Sequence, residues 1–183
     1  MEFKKICFVE AESSSYLPSR RKDLDYTKNY SAFSNRGGGV LLYMSHEIDY
    51  INWLFKDFKI SKIYQNKISN LNISSDDIAL IFGRIRNNTL VKIKLTYFNK
   101  LAKRHLIICL SDGSQIYLDL LNSVIKLFTK NKKRTFRFEK YSQYKTTEYM
   151  YSEILKNNFK DVCSLKEGLH LLRQVENSKK VNL

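Results

Sequence analysis

Between Ile78 and Glu139 the chain repeats one theme: short apolar or alternating runs, each too short for a stable helix, separated by polar turn residues. Ile78 to Arg86 and Leu90 to Tyr97 flank Asn87-Asn88-Thr89. In the second arm Val91, Ile93, Leu95 and Tyr97 alternate with Lys92, Lys94 and Thr96, the period of a strand with one buried face. His105 to Leu110, Gln115 to Leu120, Val124 to Phe128 and Thr135 to Glu139 continue at hairpin spacing, with Ser111-Asp112-Gly113 as a turn. A mainly antiparallel sheet follows. Aliphatic residues on both registers of Ile78 to Ile85 predict that its second face meets another subunit, hence a homo-oligomer.

The segments around this sheet complete the plan. Phe3 to Ala11 reads as a first strand, and the polar stretch from Ser13 to Arg36 reads as a long loop of the kind that carries function. Gly37 to Phe55 has helical periodicity, Ser61 to Ser69 suits a strand, and Asn70 to Asp77 a turn region. Thr146 to Phe159 spaces Met150, Ile154 and Tyr151, Leu155, Phe159 as a helix does. Ser164-Leu165-Lys166-Glu167 matches a capping box, with Leu165, Leu169, Leu172 and Val175 following at helical intervals. With no internal repeat and no break in composition, residues 1–183 are expected to form a single α+β domain, an open, mostly antiparallel β-sheet with helices on one face.

Composition narrows the function. The chain is 43% hydrophobic and 13% aromatic with a single proline, so it can bury a core. Its net charge of +14 suggests an anionic partner. Lys and Arg are nevertheless scattered, the denser runs at 19–22 and 131–137 are short, and no nucleic-acid recognition module is visible. No apolar run approaches the roughly 18 residues a membrane helix needs, and a cytoplasmic protein without a membrane partner is expected. Cys7, Cys109 and Cys163 are odd in number and lack metal-ligand spacing, which predicts buried reduced thiols and no metal site.

The stretch GGGVLLYMSHEIDYINWLF, Gly37 to Phe55, holds the candidate chemistry. At 100° per residue Leu41, Met44, Ile48, Ile51 and Phe55 form a core stripe, while Tyr43, His46, Glu47 and Tyr50 gather roughly opposite, where the first two and Tyr50 could share one ligand. The glycines permit close backbone approach and leave N–H groups at a helix start free for an anion. Gly37 and Gly39 are not a dinucleotide turn, because the third glycine position is Leu42 and no strand precedes them. His105 and His170 have no acid or cysteine pattern nearby and are assigned no function.

This stretch resembles the G-G-G-x-L-x-D-x-x-H-x-x-D-x-x-x-W-L-F helix of the Gfo/Idh/MocA oxidoreductases, in particular the branch found with surface-sugar and polysaccharide biosynthesis. Tyr16-Leu17-Pro18, Asp25-Tyr26, Tyr30-Ser31-Ala32, Ser75 to Ala79 and Ser164 to Lys179 resemble other segments of that branch in the same order. The resemblance implies a dihydrodipicolinate-reductase-like or glyceraldehyde-3-phosphate-dehydrogenase-like C-terminal domain. It implies that the N-terminal Rossmann domain, with its NAD or NADP site and catalytic lysine, is not in this chain. The chain would then bind no cofactor alone, and would be a split subunit or remnant, inactive without a separate Rossmann-domain partner. His46 would be the catalytic histidine, helping proton transfer. Tyr16, Arg21, Tyr26, Arg36 and Tyr43 would face a sugar or nucleotide-sugar ligand, with Arg20 and Asp25 in the same loop, and its arginines could pair with phosphate or carboxylate. Tyr43 stands where the family commonly has aspartate, and a phenol of ordinary pKa about 10 cannot orient a histidine as a carboxylate does. A carbohydrate-binding module without redox activity and a basic nucleic-acid-binding protein are the two alternative readings.

Overall fold

The computed structural model describes residues 5–21, 23–140, 142–160 and 162–179; Phe3 of the expected first strand and Lys22 of the basic loop run lie outside them. Eight strands make one sheet: β1 (Ile6–Tyr16), β2 (Lys59–Asn66), β3 (Ile78–Ile85), β4 (Thr89–Thr96), β5 (Phe98–Leu110), β6 (Gln115–Asp119), β7 (Val124–Phe128) and β8 (Lys133–Arg137). Their order is β2-β3-β4-β1-β5-β6-β7-β8. Every neighbouring pair is antiparallel except β1 and β4, which run parallel with Val9 opposite Val91 and Ala11 opposite Ile93. The helices are α1 (Val40–Tyr43), α2 (His46–Phe55), α3 (Gln143–Leu155) and α4 (Leu165–Lys179).

The core lies between the sheet and α1, α2 and α4. Val9, Ala11, Ala79, Ile81, Val91, Ile93, Leu95 and Leu106 meet Val40, Leu41, Met44, Ile48, Ile51, Leu171 and Val175 there, all essentially without solvent contact. α1 packs on β3 and β4, and α4 on β2. The hairpin turn between β3 and β4 places Asn87 and Asn88 at φ 60° and 62°, a left-handed pair that asparagine tolerates well.

Several expectations shift. β1 continues through Glu12 to Tyr16, where a loop is predicted, because Ser13 and Ser14 are small enough to be buried between β4 and β5. β5 begins at Phe98 rather than His105. The predicted leucine stripe of α4 is rotated: Leu165, Leu169 and Leu172 are exposed, and Leu171, Val175 and Ser178 face inward. The capping box is present, with Ser164 Oγ 2.7 Å from Glu167 Oε2 and Glu167 N–H donating to Ser164 Oγ at 3.3 Å. The three cysteines are free, but Cys7 and Cys163 are exposed and Cys109 half-buried, so the expectation of buried thiols fails. They stand on the outward sheet face or at an element's edge, where no core volume has to be filled.

Asp77 anchors the approach to β3. Its buried carboxylate accepts from the N–H groups of Ile68 (2.8 Å) and Ser69 (2.9 Å) and from Ser69 Oγ (2.5 Å), with Lys67 Nζ at 3.4 Å. Burial acts to raise its pKa, but the Ser69 hydroxyl, the two N–H groups and Lys67 together hold it below the usual carboxylate value. A lowered folded-state pKa gives stability that is fully present above the unfolded value of about 4 and lost as pH falls through the folded one. Asp77→Asn should therefore cost about 2 kcal/mol at pH 7 and much less near pH 2, read from urea unfolding at both pH values. An equal cost at both would show that the charge is not what matters.

Candidate functional site

The three glycines are consumed by packing. Gly37, Gly38 and Gly39 donate their N–H groups to Ser34 O, Phe33 O and Ser31 O. A Cβ on Gly38 would approach the carbonyl oxygens of Tyr30, Phe33 and Ser31 to 2.5–2.7 Å, and one on Gly39 would collide with the Asp76 carboxylate. That carboxylate accepts from Leu41 N–H at 3.0 Å while Asp76 O accepts from Val40 N–H. The helix start expected to be free for an anion is thus already capped by an acid. These residues do not fit a dinucleotide pyrophosphate either, since the N–H groups of Gly37 to Leu41 are all committed and a carboxylate stands among them.

The predicted single helix is two. The i→i−4 ladder gives way after Met44 to tighter bonds, Ser45 N–H donating to Leu42 O and Glu47 N–H to Met44 O; Met44 sits at φ −104° and ψ 23°, and α2 starts at His46. The core stripe survives the break because Met44 and Ile48 still face the sheet. The polar face does not, because Tyr43 stays with α1 while His46, Glu47 and Tyr50 follow α2.

Glu47 is the hub of the second group. Its side chain has no solvent exposure, and its Oε1 receives Arg104 Nε from β5 at 2.7 Å and lies 3.1 Å from His46 Nε2. His46 itself is half-exposed. Glu47 Oε2 and the Tyr50 hydroxyl are buried without a hydrogen-bond partner among the described residues. Burial and then the nearby Glu47 carboxylate push the Tyr50 phenol above its ordinary pKa, so it stays protonated. Glu47 thus sets a buried carboxylate beside the His46 ring. Sequence periodicity places Glu47 on the outer face; its burial depends on Arg104, which is 57 residues away and has no local signature.

His46 also borders a crevice of about 300 Å3 between α2 and α4, lined by Asp49, Cys163, Leu171 and Leu172 among others. Cys163 donates to Asp49 Oδ1 at 3.4 Å, and desolvation together with that carboxylate pushes its thiol up to about 11, so it is no nucleophile at neutral pH.

Tyr43 belongs to a different cleft. With Arg20, Arg21, Leu24, Tyr26 and Asn29 it lines a small, partly open hollow of about 20 Å3, far smaller than the α2–α4 crevice. The Tyr43 ring stands 6.1 Å from Tyr30 and 6.0 Å from Tyr97, and the Arg20 guanidinium lies 4.9 Å from the Tyr43 centroid and 5.4 Å from that of Tyr97. Of the five expected ligand-facing residues, Arg21, Tyr26 and Tyr43 therefore converge. Tyr16 packs against the core at the end of β1, and Arg36 lies over the Phe33 ring at 4.5 Å, neither lining the cleft. The structure does not bring Tyr43, His46 and Tyr50 around one ligand as the helical wheel predicts: the break parts Tyr43 from the other two, and His46 and Tyr50, both on α2, line different hollows.

No protein-family model matches the chain, and no curated protein sequence does. Solved structures do match. UDP-N-acetylglucosamine 3-dehydrogenase GnnA from Acidithiobacillus ferrooxidans superposes with a TM-score of 0.69 at 14% identity, over 96% of this chain and 52% of the enzyme. The WlbA dehydrogenase from Bordetella pertussis, solved with NADH and UDP-GlcNAcA, gives 0.65 at 15% identity over 94% and 51%. An inositol dehydrogenase homolog from Azotobacter vinelandii, solved with NAD+, gives 0.72 at 8% identity over 98% and 57%. The fold is that of a Gfo/Idh/MocA oxidoreductase C-terminal domain. The chain spans about half the length of these Gfo/Idh/MocA-type structures. Among the described residues no group of His, Cys, Asp and Glu is placed to hold a metal, and no helix is long and apolar enough to cross a membrane.

Proposed function

We propose that this chain is the substrate-side half of an NAD(P)-dependent sugar or nucleotide-sugar oxidoreductase, inactive alone and completed by a separate Rossmann-domain subunit that brings the cofactor. The observation that carries the reading is the His46–Glu47–Arg104 arrangement, a half-exposed imidazole set against a fully buried carboxylate that is itself fixed to the sheet. In this reading His46 exchanges a proton with the sugar hydroxyl at the reacting carbon, and Glu47 holds the ring in place. Tyr43, Tyr26, Arg20 and Arg21 bind the remainder of the ligand. The sheet face away from the helices joins two copies: Tyr64, Phe82 and Leu90 are exposed on it, while Lys92–Glu10 at 3.1 Å and Lys94–Glu12 at 3.2 Å neutralise its centre.

Calorimetric titration of the purified chain tests the division of labour. UDP-N-acetylglucosamine should bind, NAD+ and NADH should not, and hydride transfer should appear on adding a Rossmann-domain subunit. Tight dinucleotide binding by the chain alone, or failure of every nucleotide sugar, would overturn the proposal. A carbohydrate-binding module would bind the sugar and never gain turnover. Sedimentation should give at least a dimer, and Phe82→Asp should reduce it to monomer; a monomeric wild-type chain would remove the sheet interface.

A further inference from the structure

We propose that the β5–β8 half of the sheet face turned away from the helices binds single-stranded nucleic acid. Lys and Arg are scattered in the sequence, but the fold gathers a share of them here. Residues opposite one another in a sheet share a face, and neighbours along a strand alternate. Since Ala11 and its partner Leu106 face the helices, Lys103, His105, Tyr117, Lys126, Lys133 and Arg137 stand together on the other side. Lys130 and Lys132 extend the positive charge into the β7–β8 turn. Among the described residues none of these lysines and arginines has an ion-pair partner. Asp119 is the only acid within the four strands, and its carboxylate already accepts from the N–H groups of Leu121 and Asn122 and from the Asn122 side chain.

Flat rings alternate with these cations. His105 stacks on Tyr117, with centroids 5.5 Å apart and planes 25° apart, and the pair lines a hollow of about 200 Å3 together with Lys103 and Asn122. Farther across the face Lys126 Nζ lies 5.6 Å from the Tyr117 ring, and Lys133 Nζ lies 5.4 Å from that of Phe128. A single strand matches both features, because its bases stack on rings and its phosphates meet the ammonium groups. A planar base enters a recess of this size, whereas a bilayer surface or a duplex would meet the cations and leave the rings unused. The half of the face proposed above to join two copies is β2 to β4, and the Lys92–Glu10 and Lys94–Glu12 pairs divide it from this one.

Fluorescence anisotropy of the full chain with a labelled oligouridylate of about 12 nucleotides, followed from 50 to 150 mM salt, tests this. The logarithm of the affinity should fall against the logarithm of salt with a slope near −3, as about four neutralised phosphates give. Arg137→Gln, at a fully exposed position of β8, should make that slope shallower by about 0.7, whereas Lys62→Gln, on the β2 side of the same face, should change nothing. Tyr117→Leu keeps an apolar side chain in place but removes the flat ring; it should lose about tenfold in affinity with the slope unchanged. Absence of binding at 50 mM salt would overturn the proposal. So would a duplex or heparin bound as tightly as the single strand, capture by phosphatidylserine vesicles without binding of the oligonucleotide, or wild-type affinity in both Arg137→Gln and Tyr117→Leu.

Discussion

Replacing Gly39 with alanine is expected to destabilise the fold by about 4 kcal/mol, a large part of what a domain of this size has. Two costs add. Gly39 sits at φ 113° and ψ 154°, a backbone conformation essentially restricted to glycine, and its new methyl would run into the Asp76 carboxylate. Displacing Asp76 also uncaps Leu41 N–H, so α1 loses its first turn and Tyr97 loses the fixed Gly39 carbonyl. Gly37 is the internal control. It is also left-handed, at φ 72°, but a methyl there meets nothing within 4 Å, so Gly37→Ala should cost about 1 kcal/mol. Urea midpoints of the two variants should separate widely. Equal midpoints would mean that φ alone, and not the meeting with Asp76, sets the cost.

Glu47→Gln is the second large effect, and it acts on stability and chemistry together. The amide keeps the shape but leaves Arg104 without its anion; because Arg104 is about one-third exposed at 37%, water recovers part of the loss and about 2 kcal/mol remains. Arg104→Gln in the same background should cost much less than it does alone, the signature of a coupled pair in a double-mutant cycle. In the assembled oxidoreductase proposed above, the same substitution should lower kcat about 100-fold with KM little changed, since orientation of His46 matters when the proton moves. Stability loss with kcat intact would reduce Glu47 to a structural residue.

Much of the fold is visible in the residues. The strands from Ile78 to Phe128 announce themselves through short apolar or alternating runs, and the pairs β3–β4, β5–β6 and β6–β7 are joined by tight turns, so pattern and pairing are both local. The parallel pairing of β1 with β4 is not local, and neither is the strand at Ser13 and Ser14, whose burial is decided by flanking strands far along the chain. In the helical stretch the wheel gives the core side correctly, since Leu41, Met44, Ile48 and Ile51 are all buried. It misplaces Glu47 and joins Tyr43 to His46 because it assumes continuity through Met44 and Ser45, a break held in place by the Asp76 cap on one side and the Arg104 contact on the other. Arg20 is visible as one of several loop arginines; what singles it out, two rings from separate elements, exists only in three dimensions.

The basic run near residue 135 acquires a different meaning once it is seen as β8. Lys133, Arg134 and Arg137 crowd a five-residue border strand in which every position is exposed. At the opposite border Gln174 of α4 takes the Ile60 N–H at 2.9 Å. One margin therefore repels an incoming chain by charge and the other is occupied by a side chain, so the sheet resists lengthening into a ribbon or fibril. Part of the positive charge that suggests a polyanion partner can thus serve to keep copies from zipping together side by side.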